Sequence, residues 1–175
     1  KVPPPMLHDQ RVAKIVSPEV VHKSDVGGVI VGVENADGLR RAWEKLSGLA
    51  AFDGVLLDQM VEGVELIVGA KQDAQFGTVV LVGIGGTSVE VYQDVVIRMA
   101  PMREADAHGA LDALRGRKLL DGHRGAPAVD RSSLVRLLVD FSAMAWALRE
   151  QVESIDLNPV LCGPSSSIVA DARFI

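Results

Sequence analysis

The sequence predicts an α+β fold, on two observations. Short runs rich in Val and Ile, typical of strands, outnumber the segments with a helical period, and the two kinds of segment do not alternate strictly as in a βαβ fold. The composition also predicts a folded chain, since 48% of the 175 residues are hydrophobic and 23% are charged. A chain of this length forms one domain, or two small lobes that share a site.

The charge balance and the hydropathy exclude several classes of partner. Lys and Arg number 18 against 23 Asp and Glu, a net charge of -5, which offers no basic surface to nucleic acid. No apolar run approaches the roughly 20 residues that cross a bilayer, so we expect no membrane partner. The single cysteine, Cys162, fits a reducing compartment, and we expect a cytoplasmic protein. The N-terminal Lys-Val-Pro-Pro-Pro is typical of a fragment.

Eight strands and three helices are predicted along the chain. The strands are expected at residues 12–16, 29–33, 54–60, 64–69, 78–82, 94–98, 154–160 and 168–173. The helices are expected at residues 39–46, 103–114 and 132–149, where apolar residues recur every three to four positions, and an Asn or Asp precedes the first of them as its cap. The runs at 54–60, 64–69 and 78–82 are predicted to be neighbouring antiparallel strands.

The first residues carry an irregularity. Residues 2–7 have the composition of an opening strand, yet only four residues separate this run from the next strand. Four residues are too few for a helical crossover between strands. We therefore expect that a segment near residues 9–11 is missing.

Two features in the first part of the chain suit phosphate. Gly27-Gly28 lies between two strands, where backbone N–H groups outside the ladder are able to turn towards an anion, and Lys14 adds a cation. The simpler alternatives are a tight turn and a solvent-facing lysine. His22 begins the polar segment before the glycines, and an imidazole is able to act as a nucleophile towards phosphorus.

Other charged residues are weaker candidates on their own. Glu65 alternates with Leu66 and would accept from a ribose hydroxyl, or else it is an exposed strand charge. Glu90 stands beside a second glycine loop at Gly85-Gly86. Arg98 would complement the charge of a phosphate.

A cluster of oxygen-bearing side chains lies near the end of the chain. Asp156 and Asn158 are two apart on a predicted strand, so both side chains project to one face. Asp171 lies on the following strand and approaches that face if the two strands form a hairpin. Oxygen ligands of this kind, completed by water and phosphate oxygens, suit Mg²⁺ and predict a magnesium nucleotide. The alternative is that residues 156–159 form only a strand-ending turn.

These segments, in this order, resemble the ATP-grasp domain of NDP-forming acyl-CoA synthetases, including the β subunit of ADP-forming acetyl-CoA synthetase and, more distantly, that of succinyl-CoA synthetase. The matching stretches are Lys14-Ile-Val-Ser-Pro, His22-Lys-Ser-Asp-Val-Gly-Gly, Glu65-Leu-Ile-Val-Gly, Gly85-Gly86 with Glu90, Leu120-Asp-Gly-His-Arg-Gly, Asp156-Leu-Asn-Pro and Asp171-Ala-Arg. The resemblance covers nearly all of residues 11–175. It implies an ATP-grasp fold, in which two small α/β lobes with antiparallel sheets enclose a nucleotide cleft. We expect an N-terminal lobe at residues 1–57, incomplete near 9–11, and a C-terminal lobe at 58–175.

The resemblance also implies a role for each site residue. His22 occupies the place of a histidine thought to carry a phosphoryl group between two sites, and Asn158 and Asp171 match Mg²⁺ ligands. Residues 22–28 look like a mobile loop that covers the phosphates. The residues implied to bind ATP or ADP are Lys14, Lys23, Ser24, Gly27 and Gly28 at the phosphates, Gln59, Met60 and Val61 at the adenine, and Glu65 near the ribose or adenine. Arg98 is added to the phosphate set on the ground of its charge alone.

The activity implied by the resemblance is acyl-CoA + ADP + Pi ⇌ carboxylate + CoA + ATP, through an acyl phosphate and a phosphohistidine. The implied partners are the CoA-binding and ligase domains or an α subunit, and through them CoA and a small carboxylic acid. Two alternatives remain at this point, a regulatory module fused to a protein lysine acetyltransferase and another ATP-grasp carboxylate ligase. The chain departs from the family pattern where Asp58-Gln59 replaces a more usual glutamine-first pair.

Overall fold

The computed structural model describes residues 11–20, 23, 26–86, 94–123 and 125–175. Within these ranges the chain forms nine strands and three α-helices. The chain divides into two compact units, of which the first ends at Val61 and the second begins at Glu62. The predicted opening strand at residues 2–7 lies outside the described residues.

The first unit is a small sheet with one helix packed on it. Its elements are β1 (Arg11–Val16), β2 (Val29–Val33), α1 (Ala36–Ser47) and β3 (Gly54–Gln59). The sheet is antiparallel in the order β2, β1, β3. Ala13 and Ile15 are buried in one core with Ala42 and Leu46 of α1. Because successive strand residues point to opposite faces, Lys14 lies on the outer face, by which we mean the face turned away from the helix.

Helix α1 begins where the sequence places its cap. The Oδ1 atom of Asn35 accepts a hydrogen bond of 2.9 Å from the N–H of Gly38. This bond satisfies one of the amide donors that the first turn of a helix leaves without an intrahelical partner. The helix starts three residues before the predicted residue 39, since the polar first turn carries no periodic apolar signal.

The second unit is a larger sheet covered by two helices. Its elements are β4 (Val64–Asp73), β5 (Gly77–Ile84), β6 (Val95–Met99), α2 (Glu104–Ala113), α3 (Arg131–Ala147), β7 (Ser154–Cys162), β8 (Ser167–Val169) and β9 (Ala172–Phe174). The strands are antiparallel in the order β6, β5, β4, β7, β8, and β9 also pairs with β7. The core is made of alternate strand residues and of apolar residues from both helices. Among its members are Leu66, Val68, Val80, Val82, Leu111, Leu134 and Leu138.

Two features of the strand order differ from the sequence-based expectation. The run at 54–60 was expected beside the next two strands, but β3 pairs with β1 in the first sheet, and only β4 and β5 are neighbours. Strand pairing is set by contacts between distant segments, which a local pattern does not contain. The final strand, expected at 168–173, is divided into β8 and β9 around residues 170 and 171.

The division between the units falls four residues later than the predicted boundary after residue 57. Strand β3 continues to Gln59, which pairs with Arg11, so the last residues of this strand stay with the first sheet. No helix among the described residues combines the length and the apolarity needed to cross a membrane.

We expect Asn35→Ala to lower the free energy of unfolding by about 1 kcal/mol, because the substitution removes the side-chain acceptor that caps α1. Asn35→Asp, which keeps an acceptor oxygen, is the matched control and should remain close to wild type. Urea unfolding followed by circular dichroism measures both values. Equal losses in the two variants would contradict the capping role.

Candidate functional site

The outer face of the second sheet collects several of the candidate residues. In β4 the buried residues Leu66, Val68 and Ala70 face the helices, so Glu65 and Gly69 point to the outer face. In β7, Ile155 and Leu157 are buried, whereas Asp156 and Asn158 are exposed. The alternation therefore places these polar side chains opposite the core, where a ligand is able to reach them.

Asn158 and Asp171 are brought together by the pairing of β7 with the end of the chain. Leu157 pairs with Ala172 on one side of them and Val160 pairs with Val169 on the other, so the same register on both sides of the gap sets Asn158 opposite Asp171. The N–H of Asn158 donates to the carbonyl oxygen of Asp171 over 3.1 Å. Directly opposite residues in antiparallel strands point to the same face, with Cβ atoms about 5 Å apart.

A β-bulge lies beside this pair. Between the pairs Leu66–Val160 and Val68–Leu157, strand β4 advances by two residues and β7 by three. The extra residue of β7 therefore falls at Asn158 or Pro159. Bulges bend a strand and change the direction of side chains, and they are common next to active sites. Here the bulge allows Leu157 and Val160 both to enter the core while Asn158 stays exposed.

Asp156 shows that the carboxylates of this cluster affect one another. Its side chain leans over Gly69, where an added Cβ would stand 4.0 Å from the Oδ1 atom of Asp156. Partial burial raises the pKa of Asp156; the guanidinium of Arg173 on β9 opposes the rise, and the negative charge of Asp171 adds to it. Two carboxylates that repel in this way favour a cation between or beside them.

Glu65 is held close to the glycine loop that follows β5. The N–H of Gly85 donates to the carbonyl oxygen of Glu65 over 2.7 Å. A Cβ at Gly85 would stand only 3.0 Å from the backbone of Glu65, and one at Gly86 would stand 3.5 Å from its Oε2 atom. The close approach therefore disfavours a Cβ at Gly85, whereas at Gly86 it is the φ of +88° that favours glycine.

The outer face of the first sheet carries Lys14. Its Nζ atom lies 3.0 Å from the Oδ2 atom of Asp58 on β3. The sequence missed this partner, because Asp58 was interpreted only as a change in the linker. Asp58 lies two positions after Leu56, so both side chains share one face of β3, and Leu56 lies opposite Lys14 in the paired strands. This period of two is the signal that could have found the partner.

The glycine loop between β1 and β2 is closed by its own backbone. The N–H of Gly28 donates to the carbonyl oxygen of Lys23 over 2.7 Å, and its carbonyl oxygen accepts from the N–H of Ile15. A Cβ at Gly28 would come within 2.6 Å of the Ile15 side chain, and Gly27 has a φ of +71°. In this conformation the N–H of Gly28 is hydrogen-bonded within the loop and does not point to an anion.

The other described residues that were predicted to bind the nucleotide are residues 59–61 and Arg98. Gln59 ends β3 and is exposed, and Met60 and Val61 follow it half-buried in the connection to β4. Arg98 lies on the helix-covered side of β6, opposite Val80 of β5, and its Nη2 atom donates to the carbonyl oxygen of Gly109 in α2 over 3.1 Å. The structure does not bring Arg98 to the outer-face cluster.

Three residues named from the sequence lie outside the described residues. They are His22 and Ser24 of the loop that is expected to cover the phosphates, and Glu90 after the second glycine pair. Their implied roles therefore stay predictions.

The chain belongs to the ATP-grasp domain family. Residues 7–175 match the family model for an ATP-grasp domain, which confirms the fold expected from the sequence motifs.

Among its relatives, the chain is 38% identical over 165 residues to acetate–CoA ligase [ADP-forming] II of Archaeoglobus fulgidus, over 94% of this chain and 24% of that protein. It is 36% identical to the β subunit of acetate–CoA ligase [ADP-forming] I of Pyrococcus furiosus, over 94% of this chain and 74% of the subunit. The chain thus spans about a quarter of the Archaeoglobus protein. These matches confirm the resemblance to ADP-forming acetyl-CoA synthetases.

A solved structure supports the same assignment. Acetyl-coenzyme A synthetase 1 of Ca. Korarchaeum cryptofilum, in complex with coenzyme A and Mg-AMPPCP, superimposes with a TM-score of 0.82 at 39% identity. The match covers 94% of this chain and 75% of that one. In that structure the phosphohistidine segment points towards the nucleotide-binding site.

We expect Asp156→Asn to stabilise the fold at pH 7 by less than about 1 kcal/mol, because the raised pKa means that the ionised carboxylate is disfavoured in the folded state. The folded-state pKa lies above the unfolded one, so this penalty is absent below the unfolded pKa and develops as the pH rises through the folded pKa. Urea unfolding at pH 7 and near pH 3 measures the difference, which should disappear at the lower pH.

Asp140→Asn is the matched control, since Asp140 is an exposed aspartate on α3 and makes the same change of charge. A gain in Asp156→Asn that persists at low pH, or that Asp140→Asn reproduces, would refute the electrostatic explanation.

Proposed function

We propose that the chain is the nucleotide-binding part of an ADP-forming acyl-CoA synthetase, which catalyses acyl-CoA + ADP + Pi ⇌ carboxylate + CoA + ATP. The observation that carries the proposal is the register that sets Asn158 opposite Asp171 on the outer face of the second sheet. The similarity to ADP-forming acetate–CoA ligases supports this reaction class.

The oxygen-bearing side chains suit Mg²⁺. An amide oxygen from Asn158 and a carboxylate from Asp171 are hard donors, and Mg²⁺ completes its coordination with water and phosphate oxygens. The repulsion between Asp156 and Asp171 adds a further reason for a cation at this place. When bound, Mg²⁺ would neutralise part of the phosphate charge, and the residues of the chain would orient the nucleotide.

The proposed nucleotide contacts follow the resemblance to the family. Lys14 supplies a positive charge at the phosphates, together with Lys23, Ser24 and Gly27 of the loop between β1 and β2. Gly28 is left out of the proposed set, because its N–H donates to the carbonyl oxygen of Lys23. Residues 59–61 contact the adenine, and Glu65 accepts a hydrogen bond from the ribose. Arg98 is left out of the proposed set, because its guanidinium is bonded to the backbone of β6 and α2.

His22 is proposed as the phosphoryl carrier. A phosphorus–nitrogen bond forms on the imidazole of His22 as the bond between phosphorus and the donor group breaks. The phosphorus–nitrogen bond breaks in turn when a β-phosphate oxygen of ADP takes the phosphoryl group. A carrier of this kind moves the group between two sites without release to water. The positive charges around the phosphates stabilise the transferring group electrostatically.

Further domains or subunits are part of the proposal. The chain covers 24% of one relative and 74% of another, so the CoA-binding and ligase functions would belong to other domains or to an α subunit. CoA and a small carboxylic acid would bind through those parts. A cytoplasmic location is proposed from the single cysteine of the sequence, which fits a reducing compartment.

The magnesium-nucleotide site is tested by Asp171→Asn and Asn158→Ala. Each change should weaken the binding of Mg-ADP about tenfold or more, because metal affinity depends on both oxygens. Isothermal titration calorimetry with Mg-ADP, and with ADP in EDTA, measures the effect. Asp140→Asn on α3 is the matched charge control and should bind as wild type does. Wild-type affinity in Asp171→Asn would remove this residue from the site.

Phosphoryl transfer is tested by labelling. Incubation with γ-labelled ATP and Mg²⁺, alone and with the complementary subunit or domains, should place an acid-labile label on His22. His22→Asn should abolish the label, and His108→Asn, a change of the same type on α2, should not. A wild-type protein that acquires no label under either condition contradicts the carrier role.

A further inference from the structure

A carboxylate, that of Asp58, lies beside Lys14 on the first sheet. In the pairing of β1 with β3, Lys14 lies opposite Leu56 and Asp58 lies opposite Val12, so Lys14 and Asp58 are diagonal neighbours on the same face. Their side chains meet with 3.0 Å between Nζ and Oδ2. At this distance the ammonium and the carboxylate form an ion pair.

The surroundings of the pair are largely aliphatic. Lys14 has Leu56 opposite it on β3 and Val29 opposite it on β2. The side chain of Lys14 is only 20% exposed and that of Asp58 is 39% exposed. Partial removal from water and limited freedom make the pair stronger than one between two fully exposed residues, and they keep the ammonium group at a defined place.

We propose that Asp58 is a positioning residue that holds the ammonium group of Lys14 and competes with the nucleotide polyphosphate for it. This inference rests on the proposed function, in which Lys14 contacts the phosphates. A carboxylate oxygen and a phosphate oxygen seek the same donors of an ammonium group. The carboxylate of Asp58 therefore takes up N–H donors of Lys14 that a bound polyphosphate would otherwise use.

Two consequences follow for binding. A long lysine side chain has many rotamers, and the ion pair restricts Lys14 before the ligand arrives. The negative charge of Asp58 also repels the polyphosphate and lowers its affinity. Asp58 thus sets the nucleotide affinity below the value that Lys14 alone would give, and this promotes release of the product nucleotide.

The test measures the affinity of the intact protein for Mg-ADP and Mg-AMPPCP by calorimetry. Asp58→Asn keeps the shape and an acceptor oxygen but removes the charge, so we expect the dissociation constants to fall about two- to fivefold. Asp58→Glu keeps the charge and should bind close to wild type. Asp53→Asn, an exposed aspartate just before β3, controls for the change in net charge and should have no effect.

A double-mutant cycle separates positioning from a general effect on structure. In a Lys14→Met background, Asp58→Asn should leave the affinity unchanged, because the ammonium group is absent. A loss of structure would weaken binding, which is the opposite of the expected change. Thermal unfolding checks that each variant is folded, and Asp58→Ser replaces Asp58→Asn if the latter is unstable.

The outcomes are distinct. The proposal is overturned if Asp58→Asn binds nucleotide as wild type or more weakly, if the gain persists without Lys14, or if neither neutral variant folds. Failure of the wild-type protein to bind either nucleotide would instead refute the proposed function, and with it the basis of this inference.

Discussion

The arrangement of the site depends on one constraint, namely that, in the part of the chain that the structure describes, each sheet has helices packed on only one face. Strand residues alternate between the two faces, and the apolar ones face the helices. Ala13 and Ile15 are buried in the first unit, and Leu66 and Val68 are buried in the second. The alternation therefore places the polar residues between them on the outer face. Burial of the core therefore fixes where the charged side chains point.

The pairing at the end of the chain adds the second requirement. Asn158 and Asp171 are thirteen positions apart, and only the antiparallel register of β7 with β8 and β9 brings them face to face. The bulge between β4 and β7 allows the core to continue on both sides of Asn158. A shift of one residue in this register would turn Asp171 to the opposite face and separate the two oxygens.

The sequence was sufficient for features that local patterns encode. The period of two predicted that Asp156 and Asn158 share a face, and Asn35 marked the start of α1. It was insufficient where pairing partners are distant, as for β3, which joins β1. It also failed to assign the direction of Arg98. Four of the five residues of β6 are apolar, so no alternation marks the side that faces α2.

Electrostatics explains why the outer face of the second sheet would need a metal in order to accept a polyphosphate. Glu65, Asp156 and Asp171 bring negative charge to the second sheet, and a polyphosphate would be repelled there unless a divalent cation stood between them. In the proposed function, Lys14 of the first sheet would need no metal to attract phosphate, and Asp58 would moderate that attraction. The proposed chemistry therefore requires Mg²⁺ at the carboxylates and direct contact at the lysine. Without the metal, the same anionic surface would bind a nucleotide weakly. The metal and the nucleotide would therefore leave the surface together, as one complex.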